Sequence, residues 1–468
     1  MSTGDDQVET ETPREEGAGE RAYTLDRRAI AAILYAVDVN NRDQLVELME
    51  PLHAADIADL LEQINAYDRA RLIRLYDREF DGDILSELDE GIREEVIHLL
   101  HPQVLAEAVR DLDSDDVVDL VEDLEEPQQE AILEALEASD RLAVQQALTY
   151  PENSAGRLMQ REVVFAPEHW NVGQAIDFLR SSEELPEQFY HIVLVDPRMR
   201  PVANVTLGKL MGSRREVALL EITEEVFQVI PVDQDEADVA YAFNQYHLIS
   251  TPVVDADGRL VGVITIDDAM IVLDMENEED ILRLAGVGEE SSLSDRVLET
   301  VKRRIPWLVV NLGTAALAAL VIAQFEATIA ALVALAVLMP IVASMGGNAG
   351  TQSLTVAVRA IATRDLTGSN AWRVIRREML VGLLNGITLA VPLGLATALA
   401  FGTPMLGVVI GTALVFNLFV AALAGVAMPI LLDKLGVDPA LASGVFVTTV
   451  TDVVGFFAFL GLATVVLL

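Results

Sequence analysis

Thr449-Val450-Thr451-Asp452-Val453-Val454-Gly455-Phe456-Phe457-Ala458-Phe459-Leu460-Gly461-Leu462-Ala463 places one carboxylate inside an otherwise apolar run. An ionised side chain at the centre of a bilayer costs roughly 2.5 to 3.5 kcal/mol on insertion scales, so a chain that keeps one there turns it toward a bundle interior, water or a cation. Asp452 is therefore the candidate functional centre. The plain alternative is an acid held neutral in helix packing.

Around that run, five segments are long enough to cross a membrane, at about 306–325, 329–355, 379–401, 405–432 and 440–467. A bilayer requires roughly 20 apolar residues per helix. Within these limits Asp452 is the only acid in a span. An intramembrane aspartyl protease needs two acids sharing a proton, and a single one does not supply that. Lys302, Arg303 and Arg304 precede the first span; Arg359, Arg364, Arg373, Arg376 and Arg377 lie between the second and third, and Lys434 between the fourth and fifth. The other two connections carry no Lys or Arg. The positive-inside rule then places the N-terminus in the cytoplasm and the C-terminus outside, in a multi-pass protein of the cytoplasmic membrane.

Charge divides the chain. Residues 301–468 carry a net +3, so the 300 residues before them carry −45 of the overall −42. So acidic a surface repels nucleic acid and attracts cations. Only Lys209, Lys302 and Lys434 are lysines, and the acids are spread over the whole soluble part, a pattern that suits a salt-rich cytoplasm as well as a dedicated metal surface. With no cysteine, disulfides, thiolate metal sites and thiol nucleophiles are excluded. Residues 1–24 form a polar, acidic stretch expected to be a disordered tail without a signal peptide.

The soluble part contains two kinds of repeat. Between 25 and 150, short amphipathic segments such as 55–61, 71–76 and 95–100 recur, and Asp115-Asp116-Val117-Val118-Asp119-Leu120-Val121 echoes the first. Helices in series of this kind build a superhelix that buries each face on the next. From about 151 to 276 the order becomes strand, helix, strand, strand, helix, twice over. The second copy is the clearer: Ile230-Pro231-Val232, a helix through Val239 to Gln245, Thr251-Pro252-Val253-Val254-Asp255, a turn at Asp257-Gly258, Leu260 to Thr265, and a helix opening on Ile266-Asp267-Asp268. It closely resembles a CBS domain. The first copy is a worn version, with Leu207-Gly208 where the Asp-rich helix start would stand. CBS pairs often bind adenine nucleotides, and Thr265 with Asp268 keeps the ribose-contacting pattern, so the resemblance implies ATP or a related nucleotide as a candidate ligand.

Taken whole, the chain resembles an MgtE-type magnesium transporter. The most specific parts are Pro340-Ile341-Val342-Ala343-Ser344-Met345-Gly346-Gly347-Asn348-Ala349-Gly350-Thr351-Gln352-Ser353 and Thr451-Asp452-Val453-Val454-Gly455. The resemblance implies a helical N domain at 25–150, an α+β CBS pair at 151–276, a connecting (plug) helix at 277–304 and an all-α, five-span membrane domain at 305–468. It further implies a homodimer with a pore on its twofold axis, and transport of Mg2+ rather than catalysis. The residue chemistry suits that ion. Mg2+ prefers octahedral oxygen coordination and sheds water reluctantly, so a pore for it offers one or two carboxylates and carbonyls around a partly hydrated ion. Asp452 supplies the charge; Gly346, Gly347 and Gly350 allow close backbone approach or an unwound turn whose carbonyls face water, and Asn348 and Gln352 add amide oxygens. The same glycine run also suits a small-residue packing seam. Gly444 stands where members of the family can carry an Asn eight residues before the pore Asp. Co2+ or Mn2+ is the alternative cargo, against which the absence of Cys, and of His in the spans, argues.

The resemblance also implies a cytoplasmic sensor, in which Mg2+ between the N domain, CBS pair and connecting helix holds the pore shut. Matching positions are Asp115, Asp119, Asp235, Asp268, Glu276, Glu279 and Asp280. Apposed carboxylates repel unless a cation lies between them.

Overall fold

A computed structural model of the chain describes residues 25–468 except 111, 123, 125, 183, 184, 187 and 288–296. The expected tail at 1–24 and part of the expected connecting helix lie outside the described residues. The chain forms two compact units, up to Leu273 and from Asp274 onward.

The first unit begins with ten helices, α1–α10, at Arg27–Asp38, Arg42–Met49, Ala54–Gln63, Ala66–Tyr76, Asp83–Ser86, Glu90–Leu99, Pro102–Ala108, Ser114–Glu122, Glu126–Ala135 and Ala138–Ala147. Their short lengths follow from closely spaced caps: Asp26, Asn41, His53 and Asn65 each accept a backbone N–H at a helix start. Their apolar stripes merge into one core containing Leu45, Leu60, Leu72, Ile84, Val96 and Val121. After a short helix α11 (Ala155–Leu158), two copies of one motif follow: β1 (Phe165–Pro167), α12 (Val172–Ser181), β2 (His191–Val195), β3 (Pro201–Thr206) and α13 (Leu207–Gly212), then β4 (Ile230–Pro231), α14 (Glu236–Tyr246), β5 (Ser250–Val254), β6 (Leu260–Thr265) and α15 (Ile266–Leu284). In each, the first strand pairs parallel to the second and the second antiparallel to the third.

The duplication reaches individual atoms. Both hairpins shift register at the end of the middle strand, between Leu194 and Val195 and between Val253 and Val254. Both turn on an aspartate whose Oδ1 accepts two backbone N–H groups, Asp196 from Arg198 and Arg200, and Asp255 from Asp257 and Arg259. The left-handed residue of the turn is Gly258 in the second copy (φ 78°) and Met199 in the first (φ 62°). Met199 holds that left-handed angle with a side chain, a strained setting, so the first hairpin carries no Asp-Gly signal.

In the second unit, α16 (Val297–Ala323), a short α17 (Glu326–Ala331), α18 (Ala334–Ala362), α19 (Ala371–Phe401), α20 (Pro404–Lys434) and α21 (Pro439–Leu467) supply five helices long and apolar enough to cross a membrane. Two span limits differ from the sequence reading. The second span does not run unbroken from 329: the backbone leaves the helical region at Leu332 (φ −139°, ψ 88°) and resumes at Ala334. The third helix starts at Ala371, because Arg373, Arg376, Arg377 and Glu378 are good helix formers that carry it beyond the apolar limit. Glu378 and Asp433 thus join Asp452 as acids in spanning helices, and Glu378 is buried, with the Ser353 hydroxyl donating to its Oε2 at 3.2 Å.

Helix α20 is the centre of the bundle, packing on α18, α19 and α21. Glycines make the close approaches. A Cβ on Gly382 would lie 2.7 Å from Leu418 O, one on Gly407 2.3 Å from Gly394 O, and one on Gly425 2.5 Å from Gly350 O. In a bilayer, where lipid tails are as apolar as leucine, such backbone contact supplies the dispersion that holds helices together. Helix α16 remains almost wholly exposed within the chain.

Candidate ion path and regulatory acids

Asp452 lies midway along α21, half-buried. Among the described residues nothing hydrogen-bonds or ion-pairs with its carboxylate. Its neighbour Thr451 is fully buried and turns its hydroxyl onto Thr448 O at 2.9 Å, so the helix satisfies that group itself. Opposite lies the glycine run of α18. It is continuous helix, not an unwound turn. Gly350 lets α18 meet α21 directly, since a Cβ there would lie 2.5 Å from Val447 Cγ1 and 3.5 Å from Thr451 Cγ2. Gly346 and Gly455 both face Asn417 of α20. Gly346 and Gly350 therefore serve as the packing seam. Gly347 and Asn348 do not join it: a Cβ on Gly347 meets nothing within 4 Å, and Asn348 is exposed.

The sensor candidates divide. Asp115 opens α8 and Asp268 opens α15, and the structure brings these two together. Burial, then the charge of Asp268 and of neighbouring Asp116 and Asp113, holds the Asp115 carboxyl well above its ordinary range. Burial followed by repulsion from Asp268 and Asp113 pushes Asp116 up to about 7. Burial pushes Asp268 to about 6, with repulsion from Asp267 adding to it and hydrogen bonds from Thr265 opposing it. Two helix starts thus present a knot of acids. The sequence reading passed over Asp113 and Asp116, although the run Asp113-Ser114-Asp115-Asp116 was the available signal. Asp119 is elsewhere occupied, accepting from Arg93 Nη1 at 2.7 Å. Asp235 is the N-cap of α14, bound by Ala237 N at 3.1 Å. Among the described residues no three His, Cys, Asp or Glu side chains are grouped as a ready cation cage.

Glu276, Glu279 and Asp280 all lie on the second half of α15, in the second unit. There Arg283 bridges Glu279 Oε2 at 2.7 Å and Asp438 Oδ2 at 2.8 Å. Burial, then the charge of Asp438, raises Asp280, while Arg283 opposes the rise. Asp438 was invisible to sequence reasoning because it joins the cluster from far along the chain.

Thr265 and Asp268 are near each other, as the nucleotide reading requires, and are bonded mutually: Thr265 Oγ1 donates to Asp268 Oδ2 at 2.6 Å and also contacts Asp267. Thr265 lines a small cleft with His191, Asn204, Ser250, Phe189 and Tyr190. Asn204 Oδ1 is buried there without a partner, and His191 Nδ1 lies 2.6 Å from Ser250 Oγ. An orphaned acceptor beside aromatic side chains suits the edge of a nucleobase, but the cleft as it stands encloses about 20 Å³, room for one water.

Comparisons with known proteins cover both units. Residues 339–462 match the family described as MgtE, divalent cation transporter; residues 52–153 match the MgtE intracellular N domain, and residues 220–274, the clearer repeat, match a CBS domain. The magnesium transporter MgtE of Thermus thermophilus is 36% identical over 320 residues, 68% of this chain and 71% of that protein. That of Enterococcus faecalis is 34% identical over 317 residues, 68% and 70% of the two chains. Among solved structures, the cytosolic domain of the Mg2+ channel MgtE in complex with ATP aligns at 27% identity and a TM-score of 0.49, covering 52% of this chain and 99% of its own.

Proposed function

The chain belongs to the MgtE family of divalent-cation transporters, and from that premise we propose that it carries Mg2+ across the membrane along a path marked by Asp452, under control of the acids of its N-terminal and connecting regions. The observation that carries the reading is the Asp452 carboxylate, half-buried at membrane depth with no partner among the described residues. A hydrated divalent ion entering low dielectric needs compensating charge, and one carboxylate supplies it without stripping the inner water shell. Gly347 and Asn348, which do not join the packing seam, are the α18 positions best suited to face that path. In a homodimer about a twofold axis, two Asp452 carboxylates would share the ion. The exposed faces of α16 and α18 leave room for such a partner.

Control rests on the acid knot. Mg2+ held by Asp115 and Asp268, with Asp113 and Asp116 beside them, would offset the burial and repulsion that raise the Asp115, Asp116 and Asp268 carboxyls, and so favour one compact arrangement when cytoplasmic Mg2+ is plentiful. Asp119, Asp235, Glu276, Glu279 and Asp280 would contribute to the same response only after leaving or sharing their present partners. The cleft at Thr265 and Asp268 would take an adenine nucleotide. The basic residues around Arg373 orient that connection, and the N-terminus, toward the cytoplasm of the cell membrane.

Flux into proteoliposomes, compared for Mg2+, Mn2+, Co2+ and Ca2+, tests the cargo. Mg2+ is expected to pass in preference to the other three. Equal or greater flux of Co2+ or Mn2+ would reassign the protein to another divalent ion.

A further inference from the structure

The fourth span contains one amide, Asn417, and α20 places it at the meeting point of three helices. Its side chain is fully buried, 0% exposed. Nδ2 donates to Val342 O of α18 at 3.0 Å, a carbonyl that the helix already uses for its own ladder. Oδ1 is buried, with no partner among the described residues. Glycine stands opposite the carboxamide on both neighbouring helices: a Cβ on Gly346 would lie 2.2 Å from Nδ2, and one on Gly455 2.6 Å from it. Gly346 is followed directly by Gly347 and Asn348. Gly455 is one helical turn after Asp452.

Packing alone does not call for this group. A leucine fills about the same space and carries no desolvation cost, whereas an amide in a dry bundle leaves an oxygen unpaired at a free-energy penalty. What the amide adds is direction: one hydrogen bond fixes α20 to a single turn of α18, and the carboxamide seats there only because both facing residues are glycine. We propose that Asn417 is a positioning residue, setting the distance between the Gly347-Asn348 segment and Asp452 and thereby the selectivity of the path. This rests on the reading that Asp452 marks the ion path.

Asn417→Leu, Asn417→Ser, Gly346→Ala and the double variant Gly346→Ala/Asn417→Ser test it, in full-length protein reconstituted beside Asp452→Asn. Asn417→Leu is expected to keep its melting temperature in detergent yet shift the Mg2+ to Ca2+ flux ratio, or the half-saturating Mg2+ concentration, about tenfold, as loss of outer-shell support does at metal sites. If the leucine variant does not fold, the serine variant carries the same measurement. Gly346→Ala should lose flux, and Asn417→Ser should restore part of it by vacating the clash. Unchanged ratio and half-saturation in both Asn417 variants, or equal damage from Gly346→Ala in the Asn and Ser backgrounds, would overturn the proposal while Asp452→Asn still loses flux. Wild-type flux in Asp452→Asn would instead overturn the ion-path reading, and this inference with it.

Discussion

Acids are used in opposite ways by the two units. In the first, Asp113, Asp115, Asp116 and Asp268 crowd at two helix starts, and burial, with repulsion from neighbouring acids adding to it, lifts Asp116 to about 7 and Asp268 to about 6. Within the helix bundle of the second, Asp452 has no partner among the described residues, while the surrounding geometry is set by neutral glycine contacts such as Gly350 on Val447 and Gly425 on Gly350. A contact between like charges is conditional on whatever neutralises it; a contact between backbones is not. The arrangement suits a responsive element joined to a conduit of constant shape.

Removing the lone charge is the harshest way to sharpen that contrast. Asp452→Asn keeps shape and one oxygen, and is expected to abolish or strongly reduce Mg2+ flux in proteoliposomes while leaving protease cleavage of the soluble unit unchanged. Flux at the wild-type rate in a folded variant would make Asp452 a packed neutral acid. The crowded acids should answer in the opposite direction. Asp116→Asn with Asp268→Asn removes repulsion, so the soluble unit should gain about 1 kcal/mol or more after allowance for partial exposure, a rise of about 2–4 °C in melting temperature. Its Mg2+-dependent protection from protease should shrink in step. A loss of stability would show that these side chains are net favourable as ions, and would break the contrast.

The mildest test is pH. An acid whose folded value exceeds its unfolded 3.8 binds its proton more tightly in the folded state, so stability rises as pH falls, from about 7 toward 4. Without Mg2+, full-length protein in detergent should therefore become more resistant to protease in its soluble unit between pH 7.5 and 5.5. The Asn pair should flatten this dependence. A wild-type profile that weakens on acidification across that window would contradict the assigned shifts.

Much of this was legible in the sequence because the signals are local. Hydropathy located five spans, Asp257-Gly258 located a hairpin, and an apolar setting singled out the Asp452 carboxylate. What escaped depends on contact across long separations or on single backbone angles. Glu378 was excluded by one residue, because an apolar window ends where side chains become charged, whereas a helix ends where its backbone ladder does. Met199 hid a turn by adopting a conformation that glycine usually announces. Asn417 drew no notice, since one amide in an apolar helix carries no periodic signal; only the two glycines facing it reveal its setting. Asp119 and Asp235 looked like their acidic neighbours in composition, but Arg93 and a helix start had already claimed them.

Arg283 brings a different kind of cation to the acids of α15. Its guanidinium is tethered by its own side chain between Glu279 and Asp438, so its local concentration there is fixed by covalent geometry rather than by the contents of the cell. A divalent ion arriving at this place meets a competitor that dilution and chelation do not remove. The response of this cluster would accordingly begin at a higher ion concentration than that of the acid knot at Asp115 and Asp268, so one protein would carry two thresholds for the same ion.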